Sequence, residues 1–322
     1  MVRQVSRRTL LTALSLPLVG SLAGCVGRDW DSFPETTLTV ASGNPGGVFA
    51  RYGDALSTVI DRRLAGVNAT ARLTNASVEN LRMVTDGTCD LGFTLGDIAA
   101  DALRGTGPFR EALNVVALAR TYDSFVHLVV RAESTIRTAA DLRGHRVGVG
   151  AAGSGTRVVA MRILEQSGLG RSDVELSSEP LEASATALRK GELSAFFFVS
   201  GLPNDAVLAL SETLPIRLID VHDMLEPLVA TYGPEYVAGP IPASTYRLDD
   251  AVDTVSLKNY VVAGTSMPDD VAYAVTRLMF EAQAEIDRVA PGVRQPTLGA
   301  AIFTSPLGLH PGSLRYFREK GR

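Results

Sequence analysis

The chain has 322 residues, 46% hydrophobic and 20% charged, with 31 Lys and Arg against 35 Asp and Glu for a net charge of −4. That length suits two lobes better than one. The acidic balance leaves no basic stripe to follow phosphates, which argues against nucleic acid as a partner.

Residues 1–24 carry Arg3, Arg7 and Arg8 and no acid, followed by an apolar stretch over 10–22 that Pro17 and Gly20 interrupt. The stretch is too short and broken to span a bilayer and suits a secretory leader. SRRTLL, from Ser6, resembles a twin-arginine export signal. LAGC, ending at Cys25, resembles a bacterial lipobox, whose cysteine is lipidated; the alternative is a plain signal peptide with an incidental cysteine. The expectation is an extracytoplasmic protein anchored at Cys25 to a bacterial membrane, with residues 25–36, broken by Pro34, as a spacer. The leader holds three of the 31 Lys and Arg, so the remainder carries −7. No later run of 18 apolar residues offers a second span. With Cys25 acylated, Cys89 has no partner for an internal disulfide and reads as a small buried hydrophobe.

The first unit opens with LTVASGNPGG (38–47), a strand running into a glycine loop, then the helical spacing of Tyr52, Leu56, Val59 and Ile60. Residues 75–103 give a helix to Gly87, a short strand to Thr94 and another helix after Gly96 and Asp97. RVGVGAAGSGT (146–156) starts the same series again, and residues 182–210 continue it with helix, Gly191, buried strand, glycine loop and helix. Gly47 precedes Gly87 by 40 residues and Gly155 precedes Gly191 by 36. Two copies of one α/β unit are expected, each placing loops at the carboxyl ends of parallel strands, where open α/β sheets bind ligands.

Residues 117–134 and 228–246 join the copies in this division: 37–125 and 235–322 form the first lobe and 126–234 the second. Hinge bending is expected near 122–130 and 228–240. SLKNYVVAG (256–264) returns to the first lobe as a strand, and a helix follows over 269–284, capped by Asp269 or Asp270.

The four histidines show no metal-ligand spacing, and one remaining cysteine supports neither a zinc site nor a Cys–His nucleophile. G-x-S-x-G is missing. Gly148, Gly150 and Gly153 form a G-x-G-x-x-G, for which Glu175 or Glu179 would supply the ribose-binding acid of a dinucleotide enzyme. The motif follows a complete first unit and no candidate base accompanies it, so no enzyme and no cofactor are expected.

Six pieces in order carry a family resemblance: GNPGGV, ASVENLRMVTDGTCDLGF, RVGVGAAGSGT, LRKGELSAFFFVSGLPN, IPASTY and HPGSLRYFREKG. The chain resembles the TAXI family of TRAP-transporter solute receptors over essentially its whole mature length. The resemblance implies an α/β, two-lobed periplasmic-binding-protein fold of type II with the ligand cleft between the lobes. It also implies capture of a small carboxylate-bearing solute (an acidic amino acid, its amide or a dicarboxylate) for a membrane permease; a receptor kinase is the alternative partner. Family members often carry two aromatics and a proline after the first glycine loop, where this chain has Phe49-Ala50-Arg51-Tyr52.

The candidate ligand contacts follow from both lines. Gly47, Phe49 and Arg51 come from the first loop, Phe49 as an aromatic wall and Arg51 as a cation facing ligand or solvent. Ser154, Gly155 and Thr156 start a helix whose N–H groups and dipole favour an anion; a plain N-cap is the alternative. Ser77 and Asn80 bring a hydroxyl and an amide to one turn, or else cap it and tie down a loop. Thr94 ends the first buried strand, and Phe198, Ser200 and Gly201 end the second; Asp97 reads as a helix cap.

Overall fold

The computed structural model describes residues 31–321. The leader, Cys25 and the first half of the expected spacer lie outside these residues; Ser32–Thr36 of that spacer belong instead to the first strand, which pairs with the chain at Ala65 and Val67. The first unit runs β1 (Ser32–Ala41), α1 (Val48–Arg63), β2 (Ala65–Arg72), α2 (Ser77–Thr85), β3 (Leu91–Leu95) and α3 (Gly96–Arg104). A long strand, β4 (Val115–Arg131), leads to β5 (Arg146–Gly148), α4 (Gly155–Gln166), β6 (Glu175–Ser177), α5 (Leu181–Lys190), β7 (Ala195–Ser200) and α6 (Asp205–Thr213). Then come β8 (Ile216–Leu218), α7 (Leu225–Tyr232), β9 (Tyr236–Ile241), β10 (Val252–Gly264), α8 (Asp269–Glu281), α9 (Gln283–Val289), α10 (Leu298–Ala301) and α11 (Pro311–Glu319).

The strand order β2-β1-β3-β10-β4-β7-β5-β6 reads the same way from both ends. In the first half β1 lies parallel to β2 and β3, with β10 antiparallel beside β3. In the second half β5 lies parallel to β6 and β7, with β4 antiparallel beside β7. The repeat seen in the sequence is therefore a repeat of topology. Its two inner strands, LGFTL and AFFFVS, are buried along their whole length, as strands covered on both faces are.

Strands β4 and β10 run side by side and connect the halves. Their register slips between Lys258 and Tyr260, opposite Arg120 and Asp123, a bulge that bends the pair. Asn259 plugs it, its Nδ2 donating to the Tyr122 carbonyl and to Ser124 Oγ, both at 2.9 Å.

Two expectations change here. Residues 235–251 were assigned to the first lobe, but Ile241 and Tyr246 pack in one apolar cluster with Val129, Phe196 and Val207 of the second half. The Tyr246 hydroxyl also bonds His127 Nε2 at 2.9 Å. The return to the first half therefore lies inside β10, because β9 pairs with the first part of β10 and β3 with the rest. Helix α8 ends at Glu281, and its N-cap is Pro268 with no side-chain cap. Asp270 instead pairs with Arg315 on α11 at 3.2 Å.

Among the described residues no helix is long and apolar enough to cross a membrane, and no cluster of His, Cys, Asp and Glu suits a metal. Cys89 is a free, buried thiol packed with Ala41 and Met83.

Candidate functional site

A cavity of about 20 Å³ lies where the carboxyl ends of the inner strands of the two halves meet. The first half contributes Asn44, Gly47, Val48, Phe49, Ala76, Ser77 and Leu95 to its wall, and the second Gly155, Thr156, Phe198, Val199 and Ser200. Tyr122 and Ser124 complete it from the connecting strand. That volume admits little more than one water, so the halves stand closed on each other.

The closure is tight because the chain is bare at the contact. A Cβ on Gly155 would sit 2.7 Å from Ser77 Oγ and 2.7 Å from Leu95 Cδ1 across the cleft. Gly153, just before it, has φ +82°, a conformation that glycine adopts without steric cost; its carbonyl accepts from Glu79 N at 3.2 Å. On the opposite rim Arg51 pairs with Asp205 at 2.8 Å, and Asn204 Nδ2 donates to the Gly46 carbonyl at 3.1 Å.

Ala76 is the N-cap of α2 at φ 72°, ψ −144°. Such a conformation in a non-glycine residue costs about 1–3 kcal/mol and clusters at ligand clamps. Thr74 Oγ1 accepts the Ala76 N–H at 3.0 Å, and the turn aims the start of α2 at the cavity. The starts of α1 and α4 reach the same wall through Gly47, Val48, Gly155 and Thr156. Three helix N-termini, each with N–H groups that lack an intrahelical partner, thus converge on one small space.

Seven of the twelve expected contacts line the cavity: Gly47, Phe49, Ser77, Gly155, Thr156, Phe198 and Ser200. The other five are placed elsewhere. Asn80 is wholly buried, accepting from Thr74 Oγ1 and donating to the Ser42 and Phe93 carbonyls at 2.8 Å. It ties the loop after β1 to β3. Ser154 caps α4, accepting from Arg157 N at 3.0 Å, and borders an outer groove. Thr94 is fully buried, its hydroxyl on the Leu95 carbonyl. Gly201 lies against the Tyr122 ring and opens on a neighbouring groove of about 890 Å³. Arg51 belongs to the rim pair.

Asn44, Tyr122 and Ser124 are the polar wall residues that sequence reasoning missed. Tyr122 and Ser124 are two apart on one strand and so share a face, the signal that could have found them once β4 was read as the connector. The Tyr122 hydroxyl is buried and unpartnered among the described residues, and burial pushes its pKa well above the ordinary value.

Asp97 is not a cap. Helix α3 starts at an N-cap Leu95 without a side-chain bond, and Asp97 Oδ2 meets Arg162 Nη1 of α4 at 2.9 Å across the halves. Arg162 also pairs with Asp101, donates to the Tyr236 hydroxyl at 2.9 Å and lies 4.4 Å over the Tyr232 ring. Burial raises the Asp97 pKa, with the guanidinium opposing it; burial also disfavours the Arg162 charge, but Asp97, Tyr236 and Asp101 together outweigh it. Glu175, one of the acids suggested for a ribose, pairs with Arg146 at 3.1 Å.

Solved structures share this architecture. A protein of Bordetella bronchiseptica RB50 is 17% identical over 88% of each chain, with a TM-score of 0.51. A Xanthomonas citri protein bound to ATP is 12% identical over 88% of this chain and 94% of its own, with a TM-score of 0.50. The alkanesulfonate-binding protein SsuA from Xanthomonas axonopodis pv. citri, bound to MOPS, is 16% identical over 89% of this chain and 84% of its own, with a TM-score of 0.49. At such identities the likeness is one of fold alone, an α/β architecture. The model of the NMT1-like family matches residues 40–321, nearly all that the structure describes, and the chain belongs to that family.

Proposed function

We propose that this protein is an extracytoplasmic receptor that closes around a small carboxylate-bearing solute and presents it to a TRAP-type membrane permease. The observation that carries the reading is the convergence of three helix N-termini on a small cavity between two matched halves. A mature chain of net charge −7 needs a local positive potential to hold an anion, and each helix end offers roughly half a unit charge. The TRAP assignment and the lipid tether at Cys25 rest on the sequence resemblance and the lipobox. The halves swing about the bulge where Asn259 faces Tyr122, moving one lobe against the other as a hinge. A solute that binds only the folded form at 100 times its Kd adds about 2.7 kcal/mol of stability. A thermal-shift screen of small mono- and dicarboxylates on the purified protein is expected to return such a hit. Absence of any stabilising carboxylate would remove this reading.

A further inference from the structure

The hydroxyls in the cavity wall have fixed roles. Ser77 Oγ accepts from Leu95 N at 3.2 Å, Thr156 Oγ1 from Val199 N at 3.2 Å and Ser200 Oγ from Asn204 Nδ2 at 3.4 Å. None of these three donates to another described atom, so each keeps its proton for an occupant, whereas Ser124, also in the wall, donates to Asn259 Oδ1 at 3.1 Å. One further polar side chain in the wall, the Tyr122 hydroxyl, has no partner among the described residues, although Tyr122 is only 4% exposed. The helix ends add backbone N–H groups on three sides. The wall is thus rich in donors and positive in potential, and every residue lining it is formally neutral.

An anion satisfies such a wall. An ammonium group is disfavoured there: it brings a charge of the same sign as the helix ends, and among the described residues the wall has no carboxylate to pair with it. We propose that the site selects carboxylates that carry no ammonium group, small oxo-, hydroxy- or unsubstituted acids, and rejects the matching α-amino acids. The proposal rests on the carboxylate reading above and divides its candidate solutes in two.

The test is calorimetry of the purified protein at neutral pH with matched pairs: lactate and pyruvate against alanine, succinate against aspartate, 2-oxoglutarate against glutamate. In the best-binding size class the amine-free member is expected to bind about a hundredfold more tightly or better. An amino acid that binds as well as its amine-free match overturns the proposal and leaves the carboxylate reading standing. If no member of any pair binds, the carboxylate reading falls and the proposal falls with it.

Discussion

Arg162→Met should open the protein more readily than it unfolds it. The guanidinium is 8% exposed, and its partners Asp97 and Asp101 are 1% and 4% exposed on the opposite half. Removing one member of a buried ion cluster costs about 3–5 kcal/mol, because the charge left behind is neither solvated nor paired. Asp101 keeps Arg104 and Thr106, each at 3.2 Å. Asp97 keeps the Tyr236 hydroxyl at 2.6 Å, and its Oδ1 has no partner among the described residues. Asp97 therefore bears most of the loss. Separating the halves hydrates it without unfolding either, so the ratio of open to closed forms should rise by about a hundredfold at the low end of that range. The assay is small-angle scattering of the ligand-free protein, with thermal unfolding alongside. The variant should show a larger radius of gyration, and adding Asp97→Asn should restore much of the closed form. The pH dependence follows from the raised Asp97 pKa. A carboxyl whose pKa is higher closed than open contributes closure that is present at low pH and lost as pH rises through its closed-form value. The variant should thus approach the parent on acidification. An Arg162→Met protein with the parent's radius and stability at neutral pH would refute the argument that this cluster holds the halves together.

Two further outcomes are expected. His127 is fully buried and burial lowers its pKa from 6.5 to about 4, so the unfolded chain binds a proton in that interval and the native one does not. Its contribution, about 3 kcal/mol, is complete above pH 6.5 and is lost as pH falls toward 4; chemical unfolding of the parent and of His127→Gln across this range should show the variant losing less, and parallel curves would contradict the assignment. Ser154→Ala should lower stability by about 1 kcal/mol, as loss of an N-cap does, with solute affinity unchanged, whereas Thr156→Val should weaken binding about tenfold by removing a wall donor; calorimetry that finds the larger affinity loss at Ser154 would reverse the two roles.

What the sequence disclosed and what it hid divide along the range of the interactions. The repeat was legible because it is local: glycine loops, apolar strands and helix starts recur at similar spacing, and each copy folds by the same short-range rules. The residues that face the cavity from helix starts, Ser77, Gly155 and Thr156, were legible for the same reason. Asn80 and Ser154 carry the same chemistry at nearly the same places, yet the fold spends their polar atoms on its own backbone, and a hydroxyl or amide in a string of letters does not say whether it is already occupied. The second crossing was misplaced because prolines and glycines over 233–242 look like a linker, while β9 in fact pairs along an edge of β10, where proline is tolerated. Arg162 was beyond reach. In TRVVAMRILEQ it reads as one more solvated charge on a helix, and its two aspartates lie 65 and 61 residues earlier on another helix. Periodicity shows which side of a helix turns inward; only the closed arrangement of the halves brings opposite charges together there. The same distance makes the cluster useful, since contacts formed by residues of two halves report on whether the halves have met.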